Sequence, residues 1–208
     1  MKKILLQDDI QHVETRLKQF EANTGCELLL VVADASDPYP AASWRFGVIG
    51  GFLLSLCFSY YFEFHHSYFW PVAILLLTLL MTWVGHFPWA KRMTLSDWEI
   101  DRECGEKSVE YFHTLGTSQV SHKVTAMIMV SILEKRIMVL VDEKLKTQIT
   151  QEELNELVSI MKKHFKDGNM GLGFIQSIQA LEEKILKDFG GRVSDAKPSE
   201  LKDQIHFL

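Results

Sequence analysis

Asp34, Asp37, Glu134 and Arg136 are the residues whose types and positions lend themselves to chemistry. The aspartates follow at once on an apolar run, Glu27-Leu-Leu-Leu-Val-Val-Ala33, while Glu134 sits in a short turn between two more and Arg136 opens the second of them. Carboxylate oxygens of this kind suit calcium or magnesium, and such an ion can bridge to a phosphate. The planar fork of Arg136 would then hold a phosphate oxygen. An ordinary reading competes: aspartates after a strand make turns, and Glu134 with Arg136 is a hairpin pair.

These residues must be positioned by the elements around them. Residues 8–24 carry Ile10, Val13, Leu17 and Phe20 at helical spacing, with Asp8 or Asp9 to cap the start and Gly25 to end it. Residues 27–33 read as a buried strand, and 34–40 as turn chemistry. A helix is expected from Thr94, weakened at Gly105 and ended at Gly116. Val124–Ile132 and Arg136–Val141 read as strands joined by an antiparallel turn. Thr150 and Glu153 form a capping box for one helix, Asp167-Gly-Asn169 breaks it, and a second runs from Met170 to Gly190-Gly191. Ile205 and Phe207 are expected to tuck the tail back onto the domain.

Ligands in open α/β sheets lie beyond the carboxyl ends of parallel strands. With the first two strands parallel, Asp34 and Asp37 emerge at the same end as Glu134 and Arg136. Asp142 falls at the opposite end, because the hairpin reverses direction.

Between the first strand and the helix at Thr94 lie two uncharged apolar runs, Phe46–Phe62 and Tyr68–Ala90, joined by Glu63-Phe-His-His-Ser67. A bilayer core of roughly 30 Å takes about 20 apolar residues in a helix, so the runs are expected to form a transmembrane hairpin. Arg45 before it and Lys91 and Arg92 after it put both ends on the cytoplasmic side of a bacterial inner membrane. Trp44, Tyr60, Tyr61, Tyr68, Trp70 and Trp89 fall at the interfaces. Gly47, Gly51, Ser55 and Ser59 form a small-residue face, for the second span or for another membrane protein. The expected organisation is a discontinuous α/β domain, residues 1–44 and 91–208, interrupted by a hairpin at 45–90.

The whole-chain averages, 47% hydrophobic and 24% charged, conceal this hairpin. The net charge of −5 gives no footprint for nucleic acid. Cys26, Cys57 and Cys104 have no paired spacing and read as free thiols. Met1-Lys-Lys-Ile-Leu-Leu6 has too short an apolar part for a secretory signal, so the N-terminus is expected to be retained. His65-His66 is a potential metal pair with only Glu63 nearby. No nucleophile-elbow, Walker or Rossmann signature occurs, and Met127 and Met129 read as core.

Several phrases resemble the TPM domain family, in particular a membrane-bound bacterial branch whose domain is interrupted by a hairpin. They are Glu21-x-x-Thr24-x-x-Glu27, Ser36-x-x-Tyr39, Ser131-x-x-Glu134-x-Arg136 with Asp142, Gly168-x-x-x-Leu172-x-x-x-Gln176-x-Ile178, and Ser199-Glu-Leu201. The resemblance implies an α/β fold, a helix–sheet–helix sandwich. It also implies assistance to membrane protein complexes, with phosphatase activity credited to some members. The chain departs from the soluble branch at Thr117–Lys123 and Asp142–Lys146, where that branch has glycine-rich phrases.

Two functions are expected from these features. One is a non-catalytic interaction, assembly or auxiliary factor for a membrane protein complex, binding a divalent cation. The other is a metal-dependent phosphatase at the cytoplasmic membrane surface, using Asp34, Asp37 and Glu134 with Arg136. Calcium or magnesium is the cofactor in view, and a membrane protein or a second copy the partner.

Overall fold

The computed structural model describes residues 5, 7–61, 69–117, 124–191, 193 and 205–208. In chain order the elements are α1 (Gln7–Thr24), β1 (Glu27–Ala33), α2 (Pro40–Tyr61), α3 (Phe69–Val84), α4 (Pro88–Thr94) and α5 (Asp97–Tyr111). A π-helical turn (Phe112–Thr117) follows, then β2 (Thr125–Ser131), β3 (Arg136–Val141), α6 (Glu143–Lys146), α7 (Gln151–Lys166), α8 (Met170–Asp188) and β4 (His206–Phe207). They fall into two compact units, residues 1–34 with 104–208, and residues 35–103.

The first unit is a helix–sheet–helix sandwich. Its sheet has the order β3-β2-β1-β4. β1 and β2 run parallel from Glu27 opposite Thr125 to Ala33 opposite Ser131, as a long crossover requires. β3 returns antiparallel, with Arg136 opposite Ser131. The tail adds β4, which lies parallel to β1 with His206 opposite Val31.

Successive side chains alternate across the sheet, so each strand feeds two cores. Leu28, Leu30 and Val32 of β1 and Ala126, Ile128 and Val130 of β2 face α1, α7 and α8, which contribute Leu17, Phe20, Leu157, Met161, Phe174 and Ile178. Leu29, Val31, Met127 and Met129 face the other way, against Tyr111, Phe112 and Leu115. Both methionines are core, as expected. α7 begins at a reciprocal cap: Thr150 Oγ1 accepts from the Glu153 amide, while a Glu153 carboxylate oxygen accepts from the Thr150 amide at 2.9 Å. Gly168, at φ +77°, makes the left-handed turn into α8 that a β-carbon would strain.

The second unit is built on α2 and α3, packed antiparallel along their small residues. Gly47 meets Thr82 and Gly51 meets Thr78, while Ser43 Oγ donates to the Gly85 carbonyl at 2.9 Å. Of the small-residue face, Gly47, Gly51 and Ser55 are buried in this way, and Ser59 is exposed. The face therefore serves the hairpin itself. At its foot Arg45 makes a forked pair with Glu99, 3.0 and 2.7 Å, and Thr94 Oγ1 donates to the Ala42 carbonyl at 3.0 Å.

Here the second apolar run differs from the single span expected. α3 ends at Val84, and α4 leaves at 106° to it. The reason is local. Pro88 lacks an amide hydrogen and holds Phe87 extended, at φ −69° and ψ 142°. Only α2, among the described residues, is by itself long and apolar enough to cross a membrane; α3 and α4 pass together as a bent pair. The first run also starts earlier than expected, since α2 is helical from Pro40.

Candidate functional site

The carboxyl ends of β1 and β2 carry three of the predicted site residues in the first unit. Ser131 and Arg136 face each other across the hairpin. Residues directly opposite in an antiparallel pair present their side chains on the same face. Ser131 Oγ donates to a carboxylate oxygen of Glu134, whose side chain is wholly buried. Asp34 is tied to the same end through its backbone. Its carbonyl accepts from the Leu133 amide at 3.0 Å, and its amide donates to the Leu208 carbonyl at 3.1 Å. Its side chain is exposed.

Asp37 belongs to the second unit. Its carboxylate accepts from the Tyr39 amide at 2.6 Å, an Asx-type turn that holds Tyr39 at φ 48°. Among the described residues no three His, Cys, Asp or Glu side chains are grouped so as to hold a metal ion. Asp142 lies at the opposite sheet end, where its amide donates to the Thr125 carbonyl and its carboxylate caps α6. The His65-His66 pair with Glu63, and the stretch 118–123, fall outside the described residues.

Beside the hairpin the structure brings Arg136 together with lysines that sequence reasoning passed over. A cleft of about 610 Å³ opens between β2–β3 and the C-terminal half of α7. Lys135, Arg136, Lys162 and Lys166 line it, over a floor that includes Ile132, Ile137, Phe165 and Met170. The signal in the sequence was Lys162 and Lys166 four apart on an amphipathic helix with Phe165 between them, a pattern that reads as an ordinary solvated face.

The TPM domain model of the TPM phosphatase family matches residues 94–184. The chain carries a TPM domain. The match contains the Ser131–Glu134–Arg136 cluster and the cleft-lining lysines of α7. The chain is also similar in fold to the NMR structure of BA42 protein from the psychrophilic bacterium Bizionia argentinensis. That structure covers 100% of this chain and 98% of its own at a TM-score of 0.59 and 11% identity, a likeness of fold alone. No curated protein sequence matches the chain.

Residues of two other phrases that resembled the TPM family are placed as follows. Glu21, Thr24 and Glu27 are buried at the α1–β1 junction, where Thr24 Oγ1 accepts from the Cys26 amide at 3.1 Å. Within the matched TPM region, Gln176 Oε1 bonds the His164 ring at 2.7 Å, and Ile178 is core. Ser199–Leu201 falls outside the described residues.

Proposed function

We propose that the chain is a TPM domain anchored in a bacterial inner membrane by the α2–α3 hairpin, where it acts as a non-catalytic interaction factor for a membrane protein complex. The observation that carries this reading is the outer surface of the hairpin. Val48, Ile49, Phe52 and Leu53 of α2 are each more than half exposed, as are Leu75, Leu76, Leu79 and Leu80 of α3 or nearly so. Helices apolar on their outward faces as well as at their contact are expected in lipid rather than in water. Trp44 and Trp89 at one end and Tyr60 and Tyr61 at the other are exposed in the manner of interfacial anchors. Arg45, Lys91 and Arg92 favour a cytoplasmic placement of both chain ends; a periplasm-only reporter active after Leu208 would contradict that.

Since Gly47 and Gly51 are occupied by Thr82 and Thr78, a partner would meet the outward apolar face rather than the small-residue one. Copurification in mild detergent tests the reading: a protein that always emerges alone and monomeric would overturn it.

A second reading is a metal-assisted phosphatase acting at the end of β1 and β2. The observation favouring it is that the TPM phosphatase match spans Glu134 and Arg136. A calcium or magnesium ion would use Asp34 and Glu134 oxygens, and Arg136 would hold the phosphate. Hydrolysis of a generic phosphomonoester with calcium, magnesium or manganese tests it. Activity that survives Asp34→Ala with Glu134→Ala would remove this site.

A further inference from the structure

We propose that the cleft between the β2–β3 hairpin and α7 binds an anionic amphiphile, its phosphate-like head on Lys135, Arg136, Lys162 and Lys166 and its apolar tail along Phe165 and Met170. This goes beyond both functional readings, sharing only Arg136 with the second, and depends on neither a partner nor hydrolysis.

Charge comes first. The cleft is lined by four cationic side chains and by no acidic one among the described residues. Cations gathered at one concavity over low-dielectric walls raise the local potential and repel one another, and an anion offsets both. The gathering follows from the fold. Lys162 and Lys166 stand one turn apart on the same side of α7, and α7 packs against β3, which begins at Arg136. Lys135 precedes it in a left-handed conformation, φ 54°, which sets the direction of its side chain at the turn.

Shape and floor select the rest of the ligand. A cleft of about 610 Å³ lies within the range of roughly 300–1,000 Å³ usual for small-molecule sites. Its floor is apolar, and the Phe165 ring is braced edge-on by Phe174 at 5.4 Å between centroids. A bare hydrated ion would leave that floor unused, whereas each methylene buried on it adds affinity. The head should be compact and multiply charged, as a phosphomonoester is, with about −1.5 to −2 at neutral pH.

The test uses the full chain in phosphatidylcholine nanodiscs, titrated with hexylphosphonate and read by phosphorus NMR and calorimetry. A phosphonate has no ester to cleave, so the outcome is separate from any phosphatase activity. Saturable binding is expected, weakened about tenfold or more in Lys162→Gln with Lys166→Gln, the loss of one or two charge-assisted contacts. Both lysines are exposed, so the fold should survive, and circular dichroism checks it. Methylphosphonate, which lacks the tail, should bind about tenfold more weakly or worse, for several methylenes left in water. Phosphatidic acid added to the nanodiscs separates two sources that equally support the site. Competition assigns the head to a lipid, and retained binding assigns it to a soluble compound. No saturable binding, binding unchanged by the double substitution, equal affinity for methylphosphonate, or binding of an acidic peptide in place of the phosphonate would overturn the proposal.

Discussion

A β-carbon on Gly47 would stand 2.8 Å from Cα of Thr82, closer than side-chain carbons come to backbone. At Gly51 the corresponding approach to Thr78 is 2.6 Å. The two helices therefore touch backbone to backbone, as close helix pairs in membranes do. Gly51→Leu has no flexible neighbour to push aside and should cost at least about 1–3 kcal/mol by overpacking. Thermal unfolding in detergent should show a clear fall in Tm. Gly105→Ala, with nothing within 4 Å of the added carbon in the middle of α5, should instead gain about 0.5–1 kcal/mol. An unchanged Tm for Gly51→Leu would show that the hairpin does not pack in this way.

Glu182 on α8 holds two residues of α1. It accepts from Arg16 Nη2 through one oxygen and from Asn23 Nδ2 at 2.6 Å through the other. The Glu182 side chain is 9% exposed and that of Arg16 18%. Removing one partner of a mostly buried pair leaves the other charge unmatched. Glu182→Ala should thus destabilise the sandwich by about 3 kcal/mol, nearer the lower end of the range for buried pairs because Arg16 keeps some contact with water. Urea unfolding of the full chain in nanodiscs measures it, and a loss indistinguishable from that of an exposed Glu→Ala change would contradict this account.

The Arg45 guanidinium, followed by the bonds from Ser96, draws the Glu99 carboxyl down from 4.5 to about 2. A carboxyl depressed on folding contributes stability above its unfolded value, and that contribution is lost as pH falls through the folded one. The Arg45–Glu99 pair should consequently persist through neutral pH and weaken between about 4.5 and 2. Carbon NMR of the Glu99 carboxyl should show a midpoint near the lower value. In Arg45→Gln it should move back up; a midpoint unmoved by that change would break the link.

Burial pushes the Cys26 thiol up to about 11, against the smaller opposing effect of its bond with Thr24. The thiolate is the reactive form, so Cys26 should resist maleimide at neutral pH until the sandwich unfolds. Cys104, also fully buried, should behave alike. Prompt labelling of Cys26 in the native protein would contradict the packing of β1.

Much of this fold was legible in the chain. The six consecutive apolar residues of β1, the crossover that makes β2 its parallel neighbour, and the Thr150–Glu153 box each follow from local physics. That Asp34, Glu134 and Arg136 lie at one sheet end follows from topology alone. What was hidden depends on tertiary contact. β4 is two residues long, too short for any periodicity, and exists through its pairing with Val31 and Val32. The turn at Gly85–Pro88 lies inside an apolar run whose composition reads as one span, and hydropathy does not register a missing amide. The basic cleft escaped notice because exposed lysines on an amphipathic helix look the same whether or not a hairpin faces them.

Membrane retention of the full chain tests the central claim most directly. After expression in a bacterial cell, the membrane fraction is washed with alkaline carbonate, which strips peripheral proteins. A domain anchored by α2 and α3 should stay in the pellet, and should leave it when Leu53, Leu56, Leu76 and Leu79 are all replaced by lysine. Recovery of the unmodified chain in the wash would contradict the anchor.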